Sequence, residues 1–174
     1  MVRIFISLVL VNLLWLGSGY FTPTWAVTLQ PLGALPGLSG VLAGTPPSDL
    51  GVHDGHLSPC PDSPNCVVSQ NADEDHAIAP LTYQGDLNTA RAAVLKVLSV
   101  VPRTQVVEQT KNYIRFESSS RLLGFVDDGE FYFPEEDNLI QVRSASRLGE
   151  SDLSVNRRRI EQIRLALRDL GVSS

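Results

Sequence analysis

Along residues 86–102 the apolar positions follow a helical spacing. Leu87, Ala90, Val94, Leu98 and Val101 lie three, four, four and three residues apart, which makes one buried stripe. Asp86 is placed to cap the first turn and Pro102 to end the helix. Beyond this point the period falls to two. Residues 104–108 and 112–118 are β-prone runs joined by a polar turn; in the second, Ile114 and Phe116 share one face while Tyr113, Arg115 and Glu117 share the other. A further pair of runs, 125–133 and 138–146, is joined by Pro134, Glu135, Glu136 and Asp137. If those four are the whole loop, Phe131 lies opposite Ile140, Gly129 opposite Val142 and Asp128 opposite Arg143. Phe125, Phe131, Phe133, Ile140 and Val142 then line a core face, and Asp128, Glu130, Gln141 and Arg143 a polar one. A five-residue loop would mix charge with aromatics on both faces. Asp127 falls on the core face beside Ser144, where a carboxylate must be hydrogen-bonded or neutralised.

The last element is a helix from about residue 152, with Ser151 as a candidate cap. Leu153, Ile160, Ile163, Leu167 and Leu170 run along one side, and Gly171 ends it. Helix, four strands, helix predicts an α+β fold: an antiparallel four-stranded sheet with an N-terminal and a C-terminal helix packed on one face. Nothing in the pattern says what covers the second face.

The first 26 residues have a single charge, Arg3, then an apolar run from Ile4 to Leu16 and small residues before Ala26. This is the anatomy of a signal peptide, and its core is shorter than the roughly 20 residues that span a bilayer. Cleavage after Ala26 is expected; left uncleaved, the segment would tether the protein to a membrane, its only expected membrane contact. Residues 27–55, rich in Pro and Gly without helical or strand period, read as a linker arm. Residues 56–174 then form a single domain. A formal net charge of −5 offers phosphates no basic surface, which excludes nucleic acid as a partner class.

Cys60 and Cys66 are expected to form a disulfide in an exported chain, worth about 2 kcal/mol for so short a loop. The alternative is a metal site from His53, His56, Cys60 and Cys66, whose donors suit zinc or copper but whose spacing matches no closed zinc module. His76, among Asp73, Glu74 and Asp75, reads as an exposed loop histidine.

Polar residues are densest from Arg143 to Arg159, including Ser144, Ser146, Arg147, Asp152, Asn156 and Arg157. Three consecutive arginines early in a helix oppose its dipole, so something else must hold them. Ion pairs are one account, Arg157 to Glu161 and others to Asp127, Asp128 or Glu130; an anion site is the other. No nucleophile elbow, phosphate loop, dinucleotide fingerprint or metal-protease helix occurs, and no motif calls for a cofactor.

Three separated stretches carry a resemblance: residues 60–67 (CPDSPNCV), 124–131 (GFVDDGEF) and 143–161, from Arg143-Ser144-Ala145-Ser146-Arg147 into Asn156-Arg157-Arg158-Arg159. Together they resemble the bacterial and plastid family named domain of unknown function 1499, over about residues 53–170. The resemblance implies an export-associated domain, in the periplasm or the thylakoid lumen, in which the acidic strand, the Arg-Ser strand and the last helix form one unit. It transfers no activity or catalytic residue. Gly129 departs from the pattern, where a larger residue is expected.

Three readings of function follow. The first is an exported binding module, not an enzyme, for a small anionic ligand or a protein partner. The second is a hydrolase or transferase using Asp127 or Asp128 with Arg143 and Arg147. The third is a metal-handling protein built on the His53 to Cys66 segment.

Overall fold

The computed structural model describes residues 42–173. The expected signal peptide, residues 1–26, and the arm as far as residue 41 lie outside the described residues. Two short strands, β1 (Val52–His53) and β2 (His56–Leu57), pair as a hairpin. They are followed by β3 (Cys66–Val68), β4 (Leu81–Thr82), helix α1 (Leu87–Val100), strands β5 (Thr104–Gln109), β6 (Tyr113–Ser119), β7 (Val126–Tyr132) and β8 (Leu139–Ser146), and helix α2 (Val155–Asp169). Among these residues no helix is long and apolar enough to cross a membrane.

The fold is α+β with an antiparallel sheet, but the sheet has six strands where four were expected. The order is β3-β8-β7-β6-β5, and β4 also pairs with β8. Strands β3 and β4 divide one edge of β8 between them: Cys66 faces Ala145 and Leu81 faces Ile140. Both are too short for a periodic signal, which is why the alternation rule passed over them. Helix α1 starts on Asp86, whose side chain accepts from the Thr89 amide, and stops at Val100 before Pro102. Its buried stripe and that of α2 (Ile160, Ile163, Leu167) pack with Phe116, Phe131, Phe133, Ile140 and Val142 in the main core.

Strands β7 and β8 do not pair in the expected register. Phe131 faces Val142, Gly129 faces Ser144, Glu130 faces Arg143 and Asp128 faces Ala145. The connection is two residues longer than expected. A shift of two keeps every side chain on its own face, so the faces were right and the partners wrong. Gly129 also has its reason here. A Cβ at that position would lie 2.0 Å from Phe116 Cζ, because the Phe116 ring lies across the glycine and stacks on Phe131 with centroids 5.4 Å apart. The vacancy opposite one aromatic ring is filled by that ring.

The second face of the sheet is covered by the hairpin. Leu57, Val68 and Tyr113 form a small core of their own, joined by Val52, Cys60, Ala72 and Tyr132. Residues 51–53 of the expected arm belong to this layer.

Candidate functional site

Alternation along β7 places Asp127 and Asp128 on opposite faces, and two separate polar networks result. On the helix-covered face the last row of the sheet is polar: Thr104, Ser118, Asp127 and Ser146 stand side by side. Ser146 Oγ donates to Asp127 Oδ1 at 2.6 Å, and Arg159 Nη2 donates to Asp127 Oδ2 at 2.5 Å. The same guanidinium donates through Nη1 to Asn156 Oδ1 at 2.7 Å and Ser144 Oγ at 3.2 Å. Asn156, fully buried, returns its amide to Asn65 O and Ser146 Oγ. This network fastens the start of α2 to the end of β8 with each carboxylate oxygen of Asp127 occupied.

On the hairpin-covered face Glu130 is completely buried. It accepts from Tyr113 Oη and the Gly51 amide at 2.8 Å each, and from Arg143 Nη1 at 3.2 Å. Burial, with Glu130 beside it, pushes the Tyr113 phenol well above its usual range, so Tyr113 is a fixed donor. One row along, Glu117 faces Asp128 directly, an unfavourable pairing of like charges. Arg147 resolves it. Its Nε and Nη2 grip Asp128 at 2.7 and 2.8 Å and Nη2 also reaches Glu117 at 2.5 Å, which holds its guanidinium protonated. Arg115 bridges the same two carboxylates at 3.4 Å.

The single cluster read from the sequence is therefore two. Asp127, Ser144, Ser146, Asn156 and, at its edge, Asp152 belong to the helix side; Asp128, Glu130, Arg143 and Arg147 belong to the hairpin side. Arg157 joins neither, and not Glu161: it donates to the carbonyls of Ala77 and Asp75 at 2.7 and 2.9 Å. Arg158 donates to Leu153 O. The dipole conflict at the start of α2 is thus met by acceptors from other segments. Asp127 lies on the face opposite Arg143 and Arg147, so the hydrolase constellation does not assemble around it; Asp128 shares their face and is paired with Arg147. Sequence reasoning had Arg159 in its arginine run, with Asp127 among the acceptors, but missed Tyr113, Arg115, Glu117 and Asn65 as site residues; the signal that could have found the first three was their shared place on the polar face of β6.

Cys60 and Cys66 form a disulfide, which leaves the four-donor metal set without its thiolates. His53 and His56 are exposed and bond to the carbonyls of Asp49 and Asp54. His76 is buried rather than exposed: Asp73 accepts from Nδ1 at 2.8 Å, and Nε2 lies 3.2 Å from Ser63 O. With the Asp73 carboxylate as the larger cause and the Ser63 carbonyl adding to it, its pKa is raised above the ordinary 6.5. The disulfide loop also contributes Asn65, whose side chain donates to Gly149 O at 2.5 Å and whose carbonyl accepts from the Ser146 amide.

Helix α2 begins three residues later than expected, because Leu153 and Ser154 both adopt left-handed backbone with φ of 53° and 61°. Asp152 makes the turn, accepting from the Ser154 and Asn156 amides at 2.9 and 2.7 Å. The turn throws Leu153 outward. With Phe125, Leu148 and Val155 it walls a cleft of about 240 Å³ at the end of the sheet, floored by Asp127 and Ser146.

A family model described as a protein of unknown function, DUF1499, matches residues 56–167. The chain belongs to the DUF1499 family. No curated protein and no solved structure matches the chain. The match spans both polar networks and the cleft, so in this DUF1499 domain they are parts of one unit. Strand β1 and the Gly51 amide on Glu130 precede it: the cover of the hairpin side is completed by residues outside the DUF1499 match. Chemically the networks in this DUF1499 domain are ion-pair systems in which the carboxylates are matched by guanidinium groups, with Arg143 Nε left without a partner.

Proposed function

We propose that this domain is an exported binding module, working in the periplasm or thylakoid lumen, and that its working surface is the cleft at the end of the sheet. Its partner is a protein segment that inserts apolar side chains between Phe125, Leu148, Leu153 and Val155. The observation that carries this reading is the exposure of Leu153, at 80%, on a backbone turn held against its preference. Left-handed leucine is rare and costly, of order 1 to 3 kcal/mol, and such strain concentrates at functional positions. An anionic ligand is the weaker choice, because Arg143, Arg147 and Arg159 already hold carboxylates. The apolar N-terminal residues and the disulfide support export.

Burying Leu153 is worth roughly 1.5 to 3 kcal/mol. Leu153→Asp should weaken partner binding by about 10- to 100-fold while leaving the melting temperature within a few degrees. The test is a photo-reactive side chain at position 153 in the exported protein, compared with position 100 on α1. A discrete cross-linked protein from 153 and none from 100 is the expected result; equal products from both would overturn the reading.

A further inference from the structure

The cleft has a neighbour. Across Val155, which belongs to both, a cavity of about 270 Å³ opens at the same end of the sheet, where α1 passes into β5 and where β6 ends. The guanidinium side chains of Arg103, Arg158 and Arg159 line it with Thr104 and Ser118 of the polar row, and none of its lining residues is acidic. The charge of Arg159 is already matched by Asp127. Arg103 and Arg158 differ from every arginine of the two networks. Each is anchored at one nitrogen by a neutral carbonyl, Arg103 Nε on Ser119 O at 3.1 Å and Arg158 Nη1 on Leu153 O at 2.6 Å, and among the described residues neither meets a carboxylate. Two unmatched cations on one cavity repel each other. In a chain of formal net charge −5 this is an exception, since Arg115, Arg143 and Arg147 all find carboxylates. A guanidinium fixed at one nitrogen, with its other N–H groups unoccupied, is a preorganised receptor for a carboxylate.

Backbone strain gathers at the same place. Among the described residues five other than glycine have left-handed backbone. Asp54 and Asn71 are of types that adopt it readily; the other three are Arg103, with φ of 56°, Leu153 and Ser154. Arg103 is pinned to Ser119 twice, by its carbonyl, which accepts from the Ser119 amide, and by its side chain, so the strained turn holds its guanidinium at the cavity. Arg158 joins the two openings: one nitrogen holds the carbonyl of Leu153, a wall of the cleft, while the same side chain lines the cavity.

We propose that the protein segment received by the cleft is acidic next to its apolar side chains, and that Arg103 and Arg158 take its carboxylates while Leu148, Leu153 and Val155 take its apolar groups. This rests on the cleft being the binding surface and gives the partner its chemistry. The attraction is local and sets the register of the segment. A purely apolar segment leaves both cations unmatched, and an acidic segment without apolar side chains meets only the repulsion of an acidic domain.

The test uses the exported protein with the photo-reactive side chain at position 153, in the otherwise unchanged chain, in Arg103→Gln and in Arg103→Gln/Arg158→Gln. The yield of cross-linked protein should fall by about tenfold in the double variant, the scale of one charge-assisted pair. In the unchanged chain it should fall as salt rises from about 0.05 to about 0.5 M, and in the double variant it should not. Arg103→Gln alone, which leaves the Arg158 bond to Leu153 O in place, should give part of the loss. The captured segment, read by mass spectrometry, should have Asp or Glu within a few residues of the attachment point. The salt response and the captured sequence need no substitution at the arginines, so they decide even where a variant is unstable. Equal yields in all three chains, or a captured segment without acidic residues, would overturn the proposal and keep the cleft as a binding surface. Failure of position 153 to capture any protein would overturn both, and sedimentation with anionic lipid vesicles that the double variant loses would then assign the arginines to a membrane.

Discussion

On the helix-covered face of the sheet, polar side chains fill one row at the end, and a single guanidinium, Arg159, meets a single carboxylate, Asp127. On the hairpin-covered face, charge runs along the strands: Glu108, Glu117, Asp128 and Glu130 against Arg115, Arg143 and Arg147. The first network is diluted by neutral Ser and Asn groups and borders an open cleft. The second is dense, and its deepest pair is sealed under a hairpin. The difference teaches where each face has its tolerance. A helix packing on a sheet needs an apolar contact and admits polar groups only at the rim; a thin two-stranded cover has little apolar surface to give, and ion pairs supply the cohesion instead.

The sharpest way to break this comparison is Glu130→Ala, which strands Arg143, Tyr113 Oη and the Gly51 amide together. Removing one partner of a buried pair costs about 3 to 5 kcal/mol, and Arg143 already lacks a partner at Nε. Urea denaturation should show this as the largest loss, with Glu130→Gln/Arg143→Met recovering much of it. A loss no greater than that of Asp127→Ala would mean that the two faces do not differ as argued.

Next in size is Gly129→Ala, which drives a methyl into the Phe116 ring. Overpacking of this kind costs about 1 to 3 kcal/mol, and Phe116→Leu on the same chain should restore part of it. Additive losses in the double variant would show that the ring is not what the glycine serves. Arg159→Ala should follow at about 1 to 3 kcal/mol, since Asp127 keeps its bond from Ser146. Its signature is local: amide exchange should quicken in the first turn of α2 and not in β5, and uniform loosening would count against a network confined to the rim.

The smallest effect is pH-dependent. His76 has a raised pKa when folded, so the stability it contributes is complete below the ordinary value near 6.5 and is lost as pH rises through the raised folded value. Melts of the wild type and His76→Gln should differ at pH 5.5 and converge by pH 8.5. A difference that grows with pH would reverse the assignment of Asp73 and Ser63 as acceptors.

Much of the fold was legible because period and punctuation are local. Asp86, Pro102 and Gly171 end their helices where local rules place them. The four long strands fall within a residue or so of their hydrophobic runs. The start of α2 was not legible, since a left-handed Leu153 and Ser154 contradict every local preference. Nor was His76, whose acidic neighbours suggest solvent until the disulfide loop closes over it.

By itself, then, the order of residues determined which face each strand residue occupies. Asp127 and Asp128 had to part once the strand formed, whatever lay beside it. Only the tertiary structure decided partners. Arg143 meets Glu130 and not Asp128, and Arg147 reaches back from beyond its strand to settle Glu117 against Asp128. The reason is physical: a register shift of two residues preserves both faces and leaves no mark on the hydrophobic pattern. A guanidinium on a long side chain, moreover, chooses among acceptors brought near by elements distant in the chain.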